Sequence, residues 1–533
     1  MTTTFRGPPL ESAHGVGALT MGRFLEEVAG RFGPNEALVL DDPLTGSTTR
    51  WDYDRLLEEA LRVGRGLVAT GVGRGQTVGI LMGNRPEAVA ALFGAALAGA
   101  VAVPLSTFAP KPELAFMLRK AEVVAVLTQQ VLLDRRFGEE LEELDVERVA
   151  VVGRSSWEEL RAAGDGVPLD VSVRPDDDAV VIFSSGTTST PKGMVHRHRA
   201  VTLQFWIQSG LFGRDERTRM WTALPMFWTA GLNTAMGATL AAGGCWVMQE
   251  TFEPGAALAL MERERVTEPY TLPHQTGALA EHPAWATTDL SSLRCVYGKG
   301  AFARHPTVHG DPKWLMPVGY GLSETCAFFV SHSSDADRED TKRSMGRLLP
   351  GNELRVVDPA SGEVLGAGEI GELAVKGPTL MRRYLGTEPS ECFDADGFFR
   401  TGDIGWVDAD GFVHFEGRRT EMIKTGGANV SPAELEVQLR ACAPVKLSRI
   451  VGVPDERLDQ VVVACIVLKE GSGATEDDIR SFLRERVAAY KVPKRVLFFD
   501  DGEIPMTGSA TKVRDEALLA AVHARLERQN GVR

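Results

Sequence analysis

The sequence predicts an α/β protein, with a large N-terminal domain of α/β subdomains plus a β-rich subdomain, followed by a small α+β domain at the C-terminus. Three observations carry this. Across residues 21–311 short apolar runs alternate with longer helix-like patterns, the texture of strands joined by helical crossovers, which favours largely parallel sheets. After Gly351 the texture changes to strands and tight turns. From about Arg418 onward strand-like runs are interleaved with two helices whose first turns carry their own caps.

Taken in chain order, Thr77-Val78-Gly79-Ile80-Leu81-Met82, Val123-Val124-Ala125-Val126-Leu127 and Arg148-Val149-Ala150-Val151-Val152 are short continuous apolar runs, which read as buried strands. Between the first two, residues 86–100 are rich in Ala and Leu and read as a packed helix. Glu353-Leu354-Arg355-Val356-Val357 reads as a strand, and Asp408-Ala409-Asp410-Gly411 puts an Asp-Gly step where a hairpin needs a tight turn. Farther on, Gly426-Gly427 marks a second turn, and Ser431-Pro432-Ala433-Glu434 is a capping box with proline at the first helical position. Thr475-Glu476-Asp477-Asp478 opens another helix in the same way, flanked by strand candidates at 461–468 and 495–499. No long linker precedes this region, so a short hinge is expected between residues 1–418 and 419–533.

A chain of 533 residues exceeds a single core, so two or more domains are expected. Hydrophobic residues at 44% and charged residues at 24% describe an ordinary globular protein. A formal charge of -14 argues against nucleic acid or an anionic membrane surface as the main partner, while leaving room for a local basic site. The six cysteines are scattered without a Cys-x-x-Cys pair, which disfavours a metal cluster or disulfide framework and fits a reducing cytoplasm. Neither a signal-peptide core nor a membrane-spanning apolar run is present, and the C-terminal residues carry no peroxisomal tripeptide or prenylation box. The expectation is a cytoplasmic enzyme.

The chemistry concentrates in a few segments. Phe183-Ser184-Ser185-Gly186-Thr187-Thr188-Ser189-Thr190-Pro191-Lys192-Gly193 follows the apolar run Ala179-Val180-Val181-Ile182. Its glycines allow backbone N–H groups close to an anion, its hydroxyls donate further hydrogen bonds, and Lys192 adds a point charge suited to a polyphosphate. It is not a Walker A loop, and its hydroxyl density immediately after a strand favours phosphate handling over a plain surface turn. Gly319-Tyr320-Gly321-Leu322-Ser323-Glu324 offers an aromatic face for a purine, a hydroxyl for a phosphate and a hard oxygen ligand for Mg²⁺. Thr401-Gly402-Asp403 precedes a strand pair and Gly417-Arg418 follows it, and Asp403 can accept from both hydroxyls of a ribose.

In this order the segments resemble the motifs of the adenylate-forming superfamily, which includes acyl- and aryl-CoA synthetases, peptide-synthetase adenylation domains and beetle luciferases. The first matches aromatic, hydroxyl, Ser-Gly-Thr-Thr-Gly, any residue, Pro-Lys-Gly, except that Ser189 stands where glycine is usual. The second matches Tyr-Gly-x-Thr-Glu, with Ser323 for threonine. The resemblance implies phosphate contacts from Ser185, Gly186, Thr187, Thr188 and Lys192, and nucleotide contacts from Gly300, Ala301, Tyr320, Gly321 and Ser323. It also implies Mg²⁺ on Glu324 and a ribose held by Asp403 and Arg418. Arg419-Thr420-Glu421-Met422-Ile423-Lys424 is similar to the family hinge, with Glu421 at the pivot of a mobile small domain. Lys424, Gly426 and Gly427 would border the pantetheine tunnel. Pro505-Met506-Thr507-Gly508-Ser509-Ala510-Thr511-Lys512 resembles the loop of the catalytic lysine, with one residue more than the usual spacing and no glycine before Lys512.

Leu224-Pro225-Met226-Phe227-Trp228-Thr229-Ala230-Gly231 is similar to the motif bordering the acid pocket, with Trp228 where histidine is commoner. Gly298-Lys299-Gly300-Ala301 stands where the family has Gly-Gly-Ala-Pro, and Trp228, Lys299 and Cys326 are the candidate pocket residues. The aspartate with which peptide-synthetase members hold an α-ammonium is missing between residues 226 and 240, which disfavours α-amino acids. The resemblance therefore implies an ATP- and Mg²⁺-dependent carboxylic acid–CoA ligase working through an acyl-adenylate, as a monomer or homodimer. Three alternatives stand beside it: transfer to an acyl carrier protein, activation of a small inorganic acid such as nitrite, and a degenerate nucleotide-binding paralogue. The identity of the acid does not follow from the fold.

Overall fold

The computed structural model describes residues 3–13, 15–42, 45–169, 172–183, 191–296, 300–309, 316–418, 423–425, 428–430, 432–455, 458–487, 491–506, 513 and 515–530. Contacts divide the chain into two compact units. The larger comprises Arg6–Glu353 and Lys376–Phe399; the smaller comprises Met1–Phe5, Leu354–Val375 and Arg400–Arg533. By contacts the β-rich stretch groups with the C-terminal segment, whereas the sequence places the boundary at Arg418.

The larger unit holds the alternating α/β pattern. A seven-stranded sheet runs in the order Arg383–Tyr384, Gly193–Arg197, Asp178–Phe183, Val101–Pro104, Thr77–Leu81, Val123–Gln129, Val149–Val152. The last five pair in parallel and the first two pairings are antiparallel. All three apolar runs read as strands are in this sheet. The helix Pro86–Leu97 is buried along almost its whole length, which explains why its sequence carries no polar stripe. Val103, Val126, Val181 and Val195 pack from the sheet onto Leu114, Met117, Phe137 and Leu141 of the covering helices. Each such side chain contributes about 1.5–3 kcal/mol of burial free energy.

A second sheet, Glu268–Pro269, Arg219–Thr222, Cys245–Met248, Glu36–Asp42, Ser47–Asp52, is parallel except for its final pair. The unit also holds a three-stranded antiparallel sheet, Gly319–Leu322, Ala327–Ser331, Arg347–Leu348, and a two-stranded one, Val131–Leu132 with Arg135–Arg136.

In the smaller unit, Glu353–Val357 forms as expected and joins a five-stranded sheet ordered Phe5–Arg6, Glu353–Val357, Gly371–Lys376, Phe399–Val407, Val413–Arg418. The Asp-Gly turn closes this sheet's last hairpin, with Gly411 N–H donating to Asp408 O at 3.1 Å. Thr401-Gly402-Asp403 lies inside the strand Phe399–Val407, not before the strand pair as its glycine suggested, and Gly417-Arg418 lies inside Val413–Arg418 rather than after it, because these residues pair with each other across the hairpin. Gly402 lies within this strand at a φ of 75°, a conformation that costs glycine little, and its N–H goes to the Glu372 side chain.

Residues 423–530 build a sheet in which Asp459–Leu468 pairs antiparallel with Val445–Asp455 and parallel with Arg495–Phe498. Strand alternation divides its core. Val462, Ala464 and Ile466 face Leu435, Leu439, Ile479 and Leu483 of two helices, while Val463, Cys465 and Val467 face Leu518 and Val522 of the last helix. A register slip of one residue would exchange the two faces. The second capping box is present, with Asp478 N–H donating to Thr475 Oγ1 at 3.3 Å and Thr475 N–H to Asp478 Oδ2 at 2.8 Å. No described helix is long and apolar enough to cross a membrane.

Candidate active site

The phosphate-loop segment is the connection of an antiparallel hairpin. Asp178–Phe183 pairs with Gly193–Arg197 so that Phe183 stands opposite Gly193. Ser185, Gly186, Thr187 and Thr188 lie outside the described residues. Lys192 is described, exposed, at the point where the chain re-enters the sheet.

The second motif also folds as a hairpin. Gly319–Leu322 pairs with Ala327–Ser331, which puts Ser323 and Glu324 in the connecting turn. Gly321 is required there, since a Cβ would stand 1.9 Å from Ala327 O. Cys326 and Ala327 carry φ of 65° and 152°, values unfavourable for residues with a side chain. Surrounding bonds fix them in place: Leu322 N–H donates to Thr325 Oγ1 at 2.8 Å, and the Thr325 hydroxyl to Ala327 O at 2.8 Å. Gln204 Nε2 donates to Thr325 O at 3.0 Å and Phe328 O at 2.7 Å, and the Asn233 amide donates to Cys326 O. Strain held this firmly by its surroundings is common where a turn must aim a side chain. Tyr320 is only 7% exposed, so a purine laid on it would meet a small part of the ring.

Glu324 is half-buried and receives a hydrogen bond from Tyr384 Oη, 2.7 Å from its Oε1. The ring of Tyr384 carries Lys192 Nζ at 5.3 Å from its centroid. Lys192 and Glu324, far apart in sequence, are thus brought to one tyrosine. Sequence reading did not single out Tyr384, because an aromatic residue at a strand end has no distinguishing pattern. His196, also missed, is on the same strand as Met194, with its side chain fully buried beside the Ser323 backbone. Burial lowers its pKa to about 4, so it is neutral near pH 7. The signal for His196 was present, since a polar residue alternating with apolar neighbours in a strand marks an unusual core position.

In the smaller unit Asp403 and Arg418 are directly opposite in the hairpin register. Arg418 Nε stands 3.1 Å from Asp403 Oδ1; the carboxylate is buried and the guanidinium half-exposed. Thr401 Oγ1 accepts from Asp403 N–H at 3.1 Å and donates to Leu373 O at 2.7 Å, fixing the backbone at the carboxylate. Glu372 accepts from Gly402 N–H at 3.0 Å and from Arg400 at 2.5 Å on its two oxygens. This is a rigid mount for an acceptor of hydroxyl protons.

Around the acid-pocket motif, Trp228 N–H donates to Pro225 O at 3.1 Å and Leu232 N–H to Trp228 O at 2.9 Å, at the start of the π-helical segment Ala230–Gly237. Phe227 and Trp228 meet edge to face at 5.7 Å, and Phe108 packs on both at 5.3 and 6.1 Å. Phe108 is 49% exposed, high for so large an apolar side chain. Cys326 is fully buried, its Sγ 3.6 Å from Asn233 Nδ2, and burial pushes its thiol up to about 12. Gly300 and Ala301 lead into the short helix Phe302–Arg304. Lys299, Glu421, Gly426, Gly427 and Lys512 lie outside the described residues, and of Lys424 only the strand position is described.

Among the described residues no group of three or more His, Cys, Asp or Glu side chains could hold a metal ion. Mg²⁺ keeps several waters and binds through one or two carboxylates plus substrate phosphates. A lone, oriented Glu324 carboxylate suits an ion that arrives on a triphosphate.

The comparisons with known proteins agree with this geometry. The AMP-binding enzyme model matches residues 25–385, and the AMP-binding enzyme C-terminal domain model matches residues 434–511. The chain is 34% identical over 489 residues to a feruloyl-CoA synthase of an Amycolatopsis species, spanning 88% of this chain and 93% of that protein. It is 32% identical over 478 residues to an indoleacetate–CoA ligase of Aromatoleum aromaticum, spanning 87% and 92%. The crystal structure of ATP-bound MatB from Rhodopseudomonas palustris superimposes with a TM-score of 0.79 at 27% identity, covering 94% of this chain and 98% of that one. With the phosphate-loop lysine and the motif glutamate meeting at one tyrosine, and the matches spanning nearly the whole chain, this protein belongs to the AMP-binding enzymes of the adenylate-forming superfamily.

Proposed function

We propose that the acid activated by this chain is aromatic. The reaction is the ATP-dependent ligation of a carboxylic acid to CoA: the carboxylate attacks the α-phosphate of ATP, pyrophosphate leaves, and the CoA thiol then displaces AMP from the acyl-adenylate. The observation that carries the aromatic reading is the Phe108–Phe227–Trp228 cluster at the motif bordering the acid pocket. Phe227 is 5% exposed and backs the other two, so the Phe108 and Trp228 rings are the ones that would meet an aryl ligand, each favouring it by about 0.5–1.5 kcal/mol beyond its buried area. The names of the feruloyl and indoleacetate relatives support the same reading.

In this reading Lys192 draws charge from the polyphosphate, and Glu324 holds the magnesium ion, which when bound neutralises charge on the phosphate oxygens. Asp403 and Arg418 hold the ribose. Lys512 bridges the carboxylate and the α-phosphate during adenylation, with residues 419–533 rotating about Glu421 so that Lys424, Gly426 and Gly427 border the thiol in the second step. Tyr320, Gly321, Ser323, Gly300 and Ala301 line the nucleotide and Lys299 stands beside the acid, whereas Cys326, fully buried against Asn233, shapes the turn and does not meet the acid.

The test is pyrophosphate release over a panel matched for carbon number: arylpropenoic, arylacetic and benzoic acids, straight-chain acids, and nitrite. Aryl acids are expected to give the highest kcat/KM, and Trp228→Ala is expected to lower it for them about tenfold while changing straight-chain acids little. Equal turnover of straight-chain acids by the unaltered enzyme would remove the aromatic assignment. Offering CoA, an acyl carrier protein or an amine to the adenylate identifies the acceptor.

A further inference from the structure

We propose that Tyr384 is a positioning residue for adenylation, holding the Glu324 carboxylate and the Lys192 ammonium in fixed relation around one phenol. This rests on the reading that Glu324 takes the metal and Lys192 the phosphates. Tyr384 belongs to the edge strand Arg383–Tyr384, which pairs with the strand that leaves the phosphate loop, Tyr384 standing opposite Met194. Its hydroxyl donates to Glu324 Oε1 at 2.7 Å, and its ring lies 5.3 Å from Lys192 Nζ. One side chain therefore touches both charged motifs.

The segment around it is anchored to each motif separately. Leu385 N–H donates to Gly193 O at 2.8 Å and Arg382 N–H to Val195 O at 2.8 Å, tying it to the loop strand. Met381 N–H donates to Glu324 O at 2.7 Å, tying it to the turn that carries the glutamate. Arg382 and Arg383 each reach a different oxygen of Asp178 at 3.1 Å, at the start of the strand that enters the loop. The phenol is thus placed by backbone bonds on both sides.

The chemical consequence concerns orientation. A glutamate side chain has three rotatable bonds, and an unrestrained carboxylate on a turn samples many directions. A hydroxyl donated to Oε1 removes that freedom and leaves the negative charge on the carboxylate. It also orients the remaining lone pairs for a hard cation, as a hydrogen-bonded partner behind a metal-binding carboxylate does. The ring face attracts the Lys192 ammonium, so the positive and negative groups are kept apart and neither is neutralised by the other before the nucleotide arrives. Preorganisation of this kind acts on charge stabilisation without touching the acid.

The test separates the hydroxyl from the ring. Tyr384→Phe keeps the surface under Lys192 and removes the donor to Glu324. In calorimetric titrations it is expected to weaken binding of ATP with Mg²⁺ by about 10- to 100-fold. Binding of ATP with the metal chelated should change less than about twofold, with the KM of the acid and the thermal midpoint held. Tyr384→Ala should weaken metal-free ATP binding as well, because Lys192 loses its support. In a Glu324→Gln background Tyr384→Phe should add nothing further. A Tyr384→Phe protein that binds both forms of ATP as the parent does, or that loses both equally, overturns the proposal while leaving Glu324 as the metal ligand. A Glu324→Gln protein with unchanged Mg²⁺ dependence overturns the underlying reading, and the proposal with it.

Discussion

The Lys192–Tyr384–Glu324 cluster of the larger unit and the Asp403–Arg418 pair of the smaller one both present a cation and a carboxylate, but they are assembled in opposite ways. Asp403 and Arg418 are partners in a single hairpin, so forming the hairpin forms the pair. Lys192, Glu324 and Tyr384 come from three separate elements that meet only when an edge strand docks onto the phosphate-loop strand and the Glu324 turn together. Arg418 approaches its carboxylate to 3.1 Å, whereas the tyrosine keeps Lys192 and Glu324 on different parts of one ring system. The first arrangement is a local mount; the second depends on tertiary structure and holds its charges ready for a ligand.

The largest expected effect breaks the tertiary cluster. Glu324→Gln preserves shape and the capacity to accept from Tyr384 Oη while removing the charge. Adenylation should fall about 10²- to 10³-fold, equivalent to about 3–4 kcal/mol of lost charge stabilisation. Pyrophosphate release against Mg²⁺ concentration is the measurement. A variant that keeps the parent rate and metal dependence would show that the cluster is structural.

How much of this was legible follows the same division. Apolar runs in the seven-stranded sheet, the capping box at Thr475 and the Asp-Gly turn are local signals, and each formed where its residues suggested. Asp403 and Arg418, named together from the sequence, come together because one hairpin sets them opposite each other. The position of Thr401-Gly402-Asp403 was misread because glycine ordinarily marks a strand boundary, while here a φ of 75° is accommodated inside the strand with the Glu372 carboxylate taking the Gly402 N–H. Tyr384 was illegible because its importance comes from partners far away in sequence, Lys192 and Glu324. The shape of the acid pocket was illegible for the same reason: Phe108 meets Trp228 across most of a domain's worth of chain.

A second contrast between the units sharpens the first, through their histidines. His198, in the larger unit, is buried and accepts from Met21 N–H at 3.2 Å on Nδ1, which requires the neutral ring. Burial lowers its pKa from 6.5 to about 4. His414, in the smaller unit, is less deeply placed: it stacks on Trp406 and stands 2.9 Å from Asp408 Oδ2. As pH falls from 6.5 towards 4, the unfolded imidazole of His198 takes a proton that the folded one refuses. Its contribution to stability therefore decreases through that window, by about 3 kcal/mol in total, and is intact above it. His198→Gln is expected to lower stability at pH 7 yet flatten the acid limb of denaturant-derived unfolding free energy by one proton's worth. An acid limb that His198→Gln leaves as steep as the parent's would contradict this account.

The smallest expected effect tests the local mount. Asp403 is buried with Arg418 Nε at its Oδ1, and the Glu372 and Thr401 bonds fix the backbone around it. Asp403→Ala removes an acceptor for the ribose hydroxyls and leaves those backbone bonds in place, so the loss should fall on nucleotide affinity rather than on the fold. Two charged hydrogen bonds lost correspond to about 2–3 kcal/mol, or roughly 30- to 150-fold in ATP affinity. Arg418→Ala should cost less, about 1 kcal/mol, because its guanidinium is half-exposed and screened by water. Calorimetric titration with ATP and with 2′-deoxy-ATP distinguishes a ribose contact from a structural one. If Asp403 accepts from the sugar, the parent discriminates the two nucleotides and Asp403→Ala does not. Equal affinities in the parent would mean that the hairpin pair stabilises its own sheet and that the ribose is held elsewhere.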